Sequence, residues 1–529
     1  MRADINDDVD VAIVGYGPVG QALSALLGRA GHRVATFERH AECYPLPRAV
    51  RFDGEVMRML QRLGIAEDIA AEAQPVLNYQ WFGVDRELIL DIDMSVPHPS
   101  GSAQSYVFYQ PILEQALDQA GRAQDSVTVE RGWTVEHVQQ HDDYAQLSLR
   151  RADTTGAGLA ESSTRTVRAR YVIGADGANS IVRQCAGIER TDLGFAEHWL
   201  VVDIRPHDIT AFEHLPKAAQ HCDPRRPFSV VANGRSYRRW EFMLLPGEQP
   251  EAFANDPNLV WKLLEKHITP DEGVLVRHAV YEFRSLTAKT MRHGRILLAG
   301  DAAHLMPPFM GEGMCSGLRD AMNLSWKLDL VLRSAATDDL LDSYTVERAP
   351  QNEAAIAMSI QMGRVSCELD PALALERDAA LRSGAAMPPP PLPDLPEGVR
   401  HQSDTDTVAG TYGVQGRFDG PHGTGWGDDV LGTGFAVLTA RGDPSAVLGA
   451  DRTDFLRSIG AGVGTLDARQ PGCLRDSDGR FSDWLVDHNL EAVVIRPDGY
   501  TFGGVAQAGE LPALIDDLRR RLSAFATSR

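Results

Sequence analysis

The chain has 529 residues, of which 43% are hydrophobic and 24% are charged, and its formal net charge at pH 7 is −21. This length and composition predict a globular protein of about two to four structural units, and the acidic balance argues against nucleic acid or an anionic membrane surface as a partner. The six cysteines form no C-x-x-C pair and no Cys/His ligand spacing. We therefore expect reduced thiols, a cytoplasmic protein and no metal site.

An apolar stretch at residues 11–28 resembles a signal or membrane segment at first sight. It follows an acidic segment, where a signal peptide would be basic, and glycines and a proline interrupt it. The rest of the chain has no stretch long and apolar enough to span a bilayer. The sequence therefore predicts a soluble protein without a membrane partner.

The first third of the chain alternates strand and helix patterns. An apolar strand is predicted at 9–14, a helix at 21–30 and a second strand at 32–39. This βαβ order predicts a parallel sheet with a right-handed crossover. The stretches 168–177 and 296–299 are predicted to be further strands of the same sheet.

The pattern changes between residues 195 and 285, where valine-rich and aromatic runs alternate with turn residues. These runs predict a mostly antiparallel sheet inserted into the α/β unit. A helix is predicted from 317 to about 332, and the proline-rich stretch 383–398 is predicted to be a semi-rigid linker. The expected boundaries are 1–190 and 286–380 for the two parts of the α/β unit, 191–285 for the inserted sheet, 381–400 for the linker and 401–529 for a small α/β tail.

A G-x-G-x-x-G motif, Gly15 to Gly20, lies between the first strand and the first helix. Gly15 suits a tight turn, Gly17 a close approach of the backbone to a pyrophosphate, and Gly20 close helix–strand packing. Glu38, at the end of the second strand, suits an adenosine ribose. The alternative is a structural glycine turn, which the context disfavours.

Two acids also follow predicted strands. Asp176 lies in a G-A-D-G stretch that is often only a turn, and Asp301 follows the strand at 296–299. An acid at the carboxyl end of a buried parallel strand is costly unless a polar group lies opposite it, and ligands of α/β sheets bind at this edge. Taken alone, Asp301 is equally well explained as a helix cap.

The order of these motifs, followed by P-P-F-M-G-E-G at 307–313, resembles the flavin-dependent aromatic hydroxylases built like p-hydroxybenzoate hydroxylase. Stretches such as 47–64 and 313–328 are most similar to 3-(3-hydroxyphenyl)propionate hydroxylase and its relatives. The resemblance implies an α/β fold: a Rossmann-like, glutathione-reductase-type FAD-binding domain with an inserted β-sheet substrate domain. It also implies a thioredoxin-like tail, which lacks C-x-x-C and is expected to be redox-inactive and dispensable for chemistry.

The resemblance also implies the reaction. NADH or NADPH reduces FAD, O2 adds at the flavin C4a position, and the distal oxygen of the hydroperoxide passes to a phenolic ring without a side-chain nucleophile. One alternative is the same chemistry on a larger, polyketide-like phenolic substrate. A second is a flavin halogenase, but the W-x-W-x-I-P stretch of those enzymes is absent. A third is an FAD-binding module without catalytic activity that acts through its tail. A monomer or a homodimer is expected.

By the same resemblance, a set of residues at the sheet edge and the following loops is expected to bind the cofactor. This set is Gly15, Gly17, Pro18, Val19, Gly20, Glu38, Arg39, Arg48, Gln110, Asp176, Gly300, Asp301, Pro308, Gly311, Gly313, Met314 and Cys315. Glu312 and Cys315 depart from the glutamine and asparagine of many relatives, and Cys315 is expected to be a packing residue. His304 is expected to lie beside the cofactor rather than to act as an acid or base.

Three arginines are candidates for binding a substrate carboxylate. Arg51 follows Arg48 on the loop beside the flavin, and Arg238 and Arg239 lie in the inserted sheet, where alternation sends only one of them inward. An acidic phenol in a dry pocket would need such a cation. The alternative is that all three are surface or pyrophosphate contacts.

Overall fold

The computed structural model describes residues 8–43, 46–151, 164–384, 392–421, 423–467 and 472–525. Part of the predicted linker, residues 385–391, lies outside the described residues. In the part of the chain that is described, no helix combines the length and the apolar character needed to cross a bilayer.

The strands, in chain order, are β1 (Asp8–Val14), β2 (Val34–Glu38), β3 (Arg51–Asp53), β4 (Gln74–Pro75), β5 (Asn78–Phe82), β6 (Leu88–Asp93), β7 (Ser105–Val107), β8 (Val127–Arg131), β9 (Trp133–Gln140), β10 (Ala145–Arg151), β11 (Thr164–Gly174), β12 (Arg190–Pro206), β13 (Ala218–His221), β14 (Phe228–Asn233), β15 (Tyr237–Met243), β16 (Gly273–Ala288), β17 (Arg292–His293), β18 (Ile296–Leu298), β19 (His304–Leu305), β20 (Arg417–Gly420), β21 (Gly423–Trp426), β22 (Ala436–Thr439), β23 (Gly462–Thr465), β24 (Arg475–Asp476), β25 (Ala492–Ile495) and β26 (Thr501–Val505).

The helices, in chain order, are α1 (Pro18–Arg29), α2 (Gly54–Leu63), α3 (Ala66–Glu72), α4 (Gln110–Arg122), α5 (Ile181–Cys185), α6 (Pro250–Asn255), α7 (Pro257–Leu264), α8 (Gly313–Leu332), α9 (Asp342–Ser366), α10 (Pro371–Arg382), α11 (Gly427–Leu431), α12 (Pro444–Ser458), α13 (Arg480–Asp487) and α14 (Leu511–Ser523).

The first sheet contains five parallel strands in the order β18-β11-β1-β2-β8. The predicted βαβ unit is confirmed as β1, α1 and β2, because the apolar residues of β1 are buried on both faces and α1 packs against the sheet. Val14, Gly174 and Leu298, which end β1, β11 and β18, lie side by side. The chain therefore leaves all three strands at one edge, directly before the predicted ligand motifs.

The second sheet has the order β19-β16-β12-β15-β14-β13-β5-β6 and is mostly antiparallel. It covers the edge of the first sheet, as expected for an inserted substrate domain. β5 and β6 also belong to it, although they come from the segment 1–190 that was assigned to the α/β unit. They join because β5 pairs in parallel with β13, a long-range contact without a local sequence signal.

The tail forms a four-stranded mixed sheet in the order β23-β22-β25-β26, with α12 and α14 packed together beside it. This is a thioredoxin-like arrangement. Its apolar residues are continuous with the core of the first sheet. Trp326 of α8, for example, packs edge-on against Phe435, with 5.4 Å between the ring centroids.

A fully buried cluster of charges, the tail cluster, joins the tail to α8 and α9. Arg496 donates to Glu347 at 2.7 and 3.0 Å and to Asp498, while Lys327 donates to Glu347 at 2.7 Å. Burial opposes ionisation of Glu347, but Arg496 and Lys327 outweigh it and hold its pKa well below 4.5. Burial lowers the pKa of Lys327 to about 8. The tail thus supplies the main counter-charge of the helix pair.

A second buried contact lies between the tail and α2. Asp428 accepts hydrogen bonds from Arg58 at 2.8 and 2.9 Å and from Arg62 at 2.7 and 2.8 Å. Burial disfavours the ionised form of Asp428, but the two guanidinium groups outweigh burial and hold its pKa well below 3.8.

Candidate active site

A cavity of about 610 Å³ lies between the carboxyl edge of the first sheet and the inner face of the second. This volume is within the range of small-molecule sites. The first-sheet side and the loops contribute Gly17, Pro18, Val19, Arg48, Arg51, Gln110, Asp301, Pro308, Gly311, Glu312, Gly313 and Met314. The second-sheet side contributes Tyr79, Val201, Gln220, Ser229, Val231, Arg239, Glu241, Arg277, Tyr281 and Phe283.

The glycine motif forms the turn between β1 and α1. Gly15 has a φ of +97°, and a Cβ there would collide with the backbone of Ala175, while a Cβ on Gly20 would collide with the carbonyl oxygen of Gly15. α1 therefore begins directly at the strand end, with Gly17 as N-cap, Pro18 as first residue and no capping side chain. Its first N–H groups and the positive end of its dipole suit a phosphate group.

Glu38 and Arg39 differ in their surroundings. Glu38 accepts hydrogen bonds from the backbone N–H groups of Tyr16 and His40, both at 2.9 Å, so it lies at the glycine turn. Arg39 is exposed, donates to the ring of His40 at 3.2 Å and is not among the described residues that line the cavity. Glu38 thus lies at the glycine turn and Arg39 is exposed, and neither side chain is among the described residues that line the cavity.

The loop that carries Arg48 is fixed by Gln110. The Oε1 atom of Gln110 accepts the N–H groups of Arg48, at 2.8 Å, and Ala49, while its Nε2 atom donates to Glu114. The Arg48 guanidinium lies over Gly17, since its Nη2 atom would be 3.9 Å from a Cβ there. Gln110 therefore positions the loop, and Arg48 lies where α1 begins.

Asp176 follows β11 and turns the chain into α5. Its Oδ2 atom accepts the N–H groups of Ile181 at 2.8 Å and Val182 at 3.2 Å, and burial raises its pKa above 3.8. Its Oδ1 atom is buried and has no partner among the described residues. Asp176 therefore stabilises the turn through Oδ2, which was one of the two interpretations of the sequence. Its Oδ1 atom is still able to accept a hydrogen bond.

Asp301 follows the turn at Gly300, which has a φ of +61° and packs against Val19. The carboxyl of Asp301 faces the cavity and accepts no hydrogen bond from any residue that the structure describes. The surrounding walls raise its pKa above 3.8 by burial, which His304 and Arg48 only partly oppose. It caps no helix, so the ligand interpretation is the one that the geometry supports.

His304 lies in a separate buried network. Its Nε2 atom is 2.7 Å from Asp320, which also accepts the N–H of Gly300 at 3.0 Å and the Nε–H of Arg348 at 2.9 Å. Burial opposes ionisation of Asp320, but His304 and Arg348 outweigh it and lower its pKa. His304 does not line the cavity among the described residues. The network fixes the turn that precedes Asp301.

The loop after Pro308 leads into α8. Gly311 has a φ of +64° and packs against the side chain of Arg51, and α8 begins at Gly313, earlier than the predicted residue 317. The N–H groups of Gly313, Met314 and Cys315 precede the first intrahelical bond, from Ser316 to Glu312. They are aligned with the helix dipole at the cavity wall and suit partial negative charge.

Cys315 and Glu312 belong to a buried cluster. Burial raises the pKa of the Cys315 thiol well above 9, as suits a packing residue. Among the described residues, Asp53, Glu312 and Cys315 are close enough to share a metal ion, but Arg319 pairs with both carboxylates and Arg51 pairs with Glu312. Two guanidinium groups therefore already neutralise this cluster.

The three candidate substrate arginines are all engaged by protein groups. Arg51 pairs with Glu312 and donates to Ser105 at 2.8 Å, and Arg239 forms a bidentate pair with Asp203 at 2.8 and 2.9 Å. Arg238 points to the other face of the second sheet and donates to the carbonyl of Phe212 at 2.9 Å. As alternation predicted, only one of the two consecutive arginines faces the cavity.

Sequence reasoning missed the polar residues that share this cavity face, namely Glu241, Ser229, Gln220, Arg277, Tyr79 and Tyr281. Glu241 carries the one usable signal, because it follows Arg239 by two residues on β15 and so shares its face. The others lie on β5, β13, β14 and β16, and the pairing of these strands is not readable from one sequence.

The residues at the first-sheet edge fit FAD. Uncapped amides at α1 suit the pyrophosphate, Glu38 lies beside the same turn, and the cavity-facing carboxyl of Asp301 suits a chain of hydroxyls. The unused Oδ1 acceptor of Asp176 lies at the same edge.

Comparison with known proteins agrees with this geometry. The FAD binding domain family matches residues 8–359, and the HcaD C-terminal domain family matches residues 410–521. The chain is 40% identical over 518 residues to a probable NADH-specific resorcinol 4-hydroxylase of Rhodococcus jostii, covering 96% of this chain and 94% of the relative. It is 32% identical over 518 residues to a 3-(3-hydroxy-phenyl)propionate/3-hydroxycinnamic acid hydroxylase of Mycolicibacterium gilvum, covering 93% and 88%.

A solved structure shows the same fold. The flavin-dependent monooxygenase PieE, in complex with FAD and substrate, superposes with a TM-score of 0.81 at 21% identity, covering 97% of this chain and 99% of that one.

Proposed function

The chain belongs to the single-component FAD-dependent aromatic hydroxylases, and on this premise we propose that it uses NADH and O2 to hydroxylate a small phenol. A resorcinol hydroxylase and a hydroxyphenylpropionate hydroxylase are both among its relatives, and a phenolic ring is common to their names. The NADH specificity in the name of the first relative supports NADH as the reductant.

One observation carries the proposal. A single cavity is lined both by the strand-edge motifs that fit FAD and by the inner face of the second sheet. Apolar side chains such as Val201, Phe283 and Met306 line it together with a few polar groups. Such a lining suits an aromatic ring with one or two hydroxyls.

Bound FAD would supply the electron transfer and the activation of oxygen. The chain supplies binding, orientation and dryness. α1, Glu38, Arg48 and Asp301 would hold the cofactor, while the N–H groups at the start of α8 favour negative charge at the cavity wall. The second sheet covers the cavity and limits the access of water.

The setting of the enzyme is part of the proposal. Scattered cysteines without a pairing pattern support a cytoplasmic protein, and the net charge of −21 supports a partner that is a small molecule rather than nucleic acid. We propose that it acts as a monomer or a homodimer.

The test is oxidation of NADH by the purified, FAD-loaded protein with and without resorcinol. We expect resorcinol to stimulate NADH oxidation and to yield a product heavier by one oxygen atom, which carries the label when the reaction runs under ¹⁸O₂. A chloride-dependent product would instead identify a halogenase. An FAD-loaded protein whose NADH oxidation responds to no phenol would contradict the proposal and favour an FAD-binding module.

A further inference from the structure

Glu241 is a carboxylate on the inner face of the second sheet. It lies on β15 between Val201 of β12 and Ser229 of β14, and all three line the cavity. The hydroxyl of Ser229 donates to its Oε2 atom at 3.2 Å. The site thus contains an acidic group that no cofactor contact in the set above uses.

The second oxygen of Glu241 is available to a ligand. Its Oε1 atom lies 3.7 Å from Nη1 of Arg239, which is beyond hydrogen-bond distance, and accepts no hydrogen bond from the described residues. The side chain is 14% exposed, and this exposure opens onto the cavity. Burial raises the pKa of Glu241 above 4.5, and Arg239 opposes the shift. Because this acceptor is mostly buried and accepts no hydrogen bond at Oε1 from the described residues, it favours a ligand that brings a hydrogen-bond donor to it.

The neighbouring cations are committed to protein groups. Arg239 donates to both oxygens of Asp203, and Arg277 donates to the carbonyl of Pro47 and lies over the ring of Tyr281. Arg51, in turn, pairs with Glu312 and donates to the carbonyl of Met310 at 3.0 Å. A carboxylate on the substrate would compete with these contacts for the same guanidinium groups.

We propose that Glu241 accepts a hydrogen bond from a ring hydroxyl of the substrate, and so selects uncharged phenols over phenols that carry a carboxylate. The carboxylate attracts the hydroxyl proton, which increases the electron density of the ring that is to be hydroxylated. It repels a second carboxylate in the same low-dielectric space. This inference rests on the proposed function, and it decides between the two substrate classes in the names of the relatives.

The test measures binding and turnover in the full-length, FAD-loaded protein. The probes are resorcinol and 3-(3-hydroxyphenyl)propionate, and their dissociation constants are read from the absorbance change of the bound flavin. We expect the wild type to bind resorcinol at least about tenfold more tightly than the acid. Glu241→Gln removes the charge but keeps the shape and an acceptor oxygen, so it should weaken resorcinol binding about 5- to 10-fold. It should also reduce the ratio between the dissociation constants of the acid and of resorcinol.

Glu197→Gln is the matched control. Glu197 is another partly buried carboxylate of the second sheet, and burial raises its pKa too, but it does not line the cavity among the described residues. This variant should bind and turn over resorcinol like the wild type. All proteins are compared at equal FAD content, which separates loss of fold from loss of the contact.

The outcomes separate the two proposals. A wild type that hydroxylates both phenols but prefers the acid would overturn the role of Glu241 and leave the proposed function intact. If Glu241→Gln bound resorcinol as tightly as the wild type, the role of Glu241 would also be overturned and the proposed function would stand. Failure of the wild type to hydroxylate any phenol would overturn the proposed function and the inference with it.

Discussion

Replacing Asp301 with alanine should weaken FAD binding without unfolding the protein. The carboxyl faces the cavity directly after β18, and no described residue donates a hydrogen bond to it. Its removal therefore breaks no hydrogen bond within the described part of the chain. The loss should appear only when the cofactor hydroxyls, which need an acceptor at this point, are present.

The magnitude follows from the kind of bond. A hydrogen bond to a charged acceptor contributes about 1.5–3 kcal/mol, so Asp301→Ala should raise the dissociation constant of FAD about 10- to 150-fold. Asp301→Asn keeps an acceptor oxygen and most of the shape but removes the charge. Its effect should be the smaller of the two.

The assay is titration of the apoprotein with FAD, followed by quenching of flavin fluorescence. Asp271→Asn is the control, because Asp271 is exposed in the turn before β16 and remote in the fold from the strand edge. The control should bind FAD like the wild type. Wild-type affinity in Asp301→Ala, at an unchanged circular dichroism spectrum, would refute the assignment of this carboxyl to the cofactor.

Three further predictions concern buried charges and a thiol. Arg496→Met should lower the free energy of unfolding by about 3–5 kcal/mol, because Glu347 loses its main counter-charge, and a urea titration should show loss of FAD in the same transition. Asp428→Asn should be less stable than the wild type at pH 7. Because the pKa of Asp428 in the folded protein is held below 3.8, the difference in stability between the two proteins should shrink as the pH falls below about 4. Thermal melts across that pH range would show this change. Cys315 should resist iodoacetamide at pH 8 in the folded protein, because burial raises its pKa, and early labelling of Cys315 in peptide mass spectra would contradict this.

The strand-edge half of the site could be predicted from the sequence because its signals are local. Gly15, Asp176 and Asp301 each follow a strand within a few residues, and parallel strands bring their carboxyl ends together. Arg39 shows the limit of this reasoning. It adjoins Glu38 in the sequence, but it is exposed and donates to His40, whereas Glu38 accepts the N–H of Tyr16 in the glycine turn.

The substrate half could not be predicted because its contacts are long-range. The arginine candidates were identified by residue type, but their partners decide their role, and Arg51 and Glu312 are 261 residues apart. The position of Glu241 beside Val201 and Ser229 depends on the pairing of β15 with β12 and β14. The attachment of the tail also depends on long-range contacts. The tail sequence predicts small α/β elements, but it does not show which acids and cations of the rest of the chain face them.

The tail cluster has a consequence for how this protein is made. Glu347 and Arg496 are 149 residues apart, so synthesis completes α8 and α9 well before their counter-charge exists. During that interval, Lys327 and Glu347 lie on a helix pair whose covering sheet has not yet been translated. A chain truncated after residue 400 would therefore keep the Lys327–Glu347 pair but lack Arg496, the larger of the two counter-charges of Glu347.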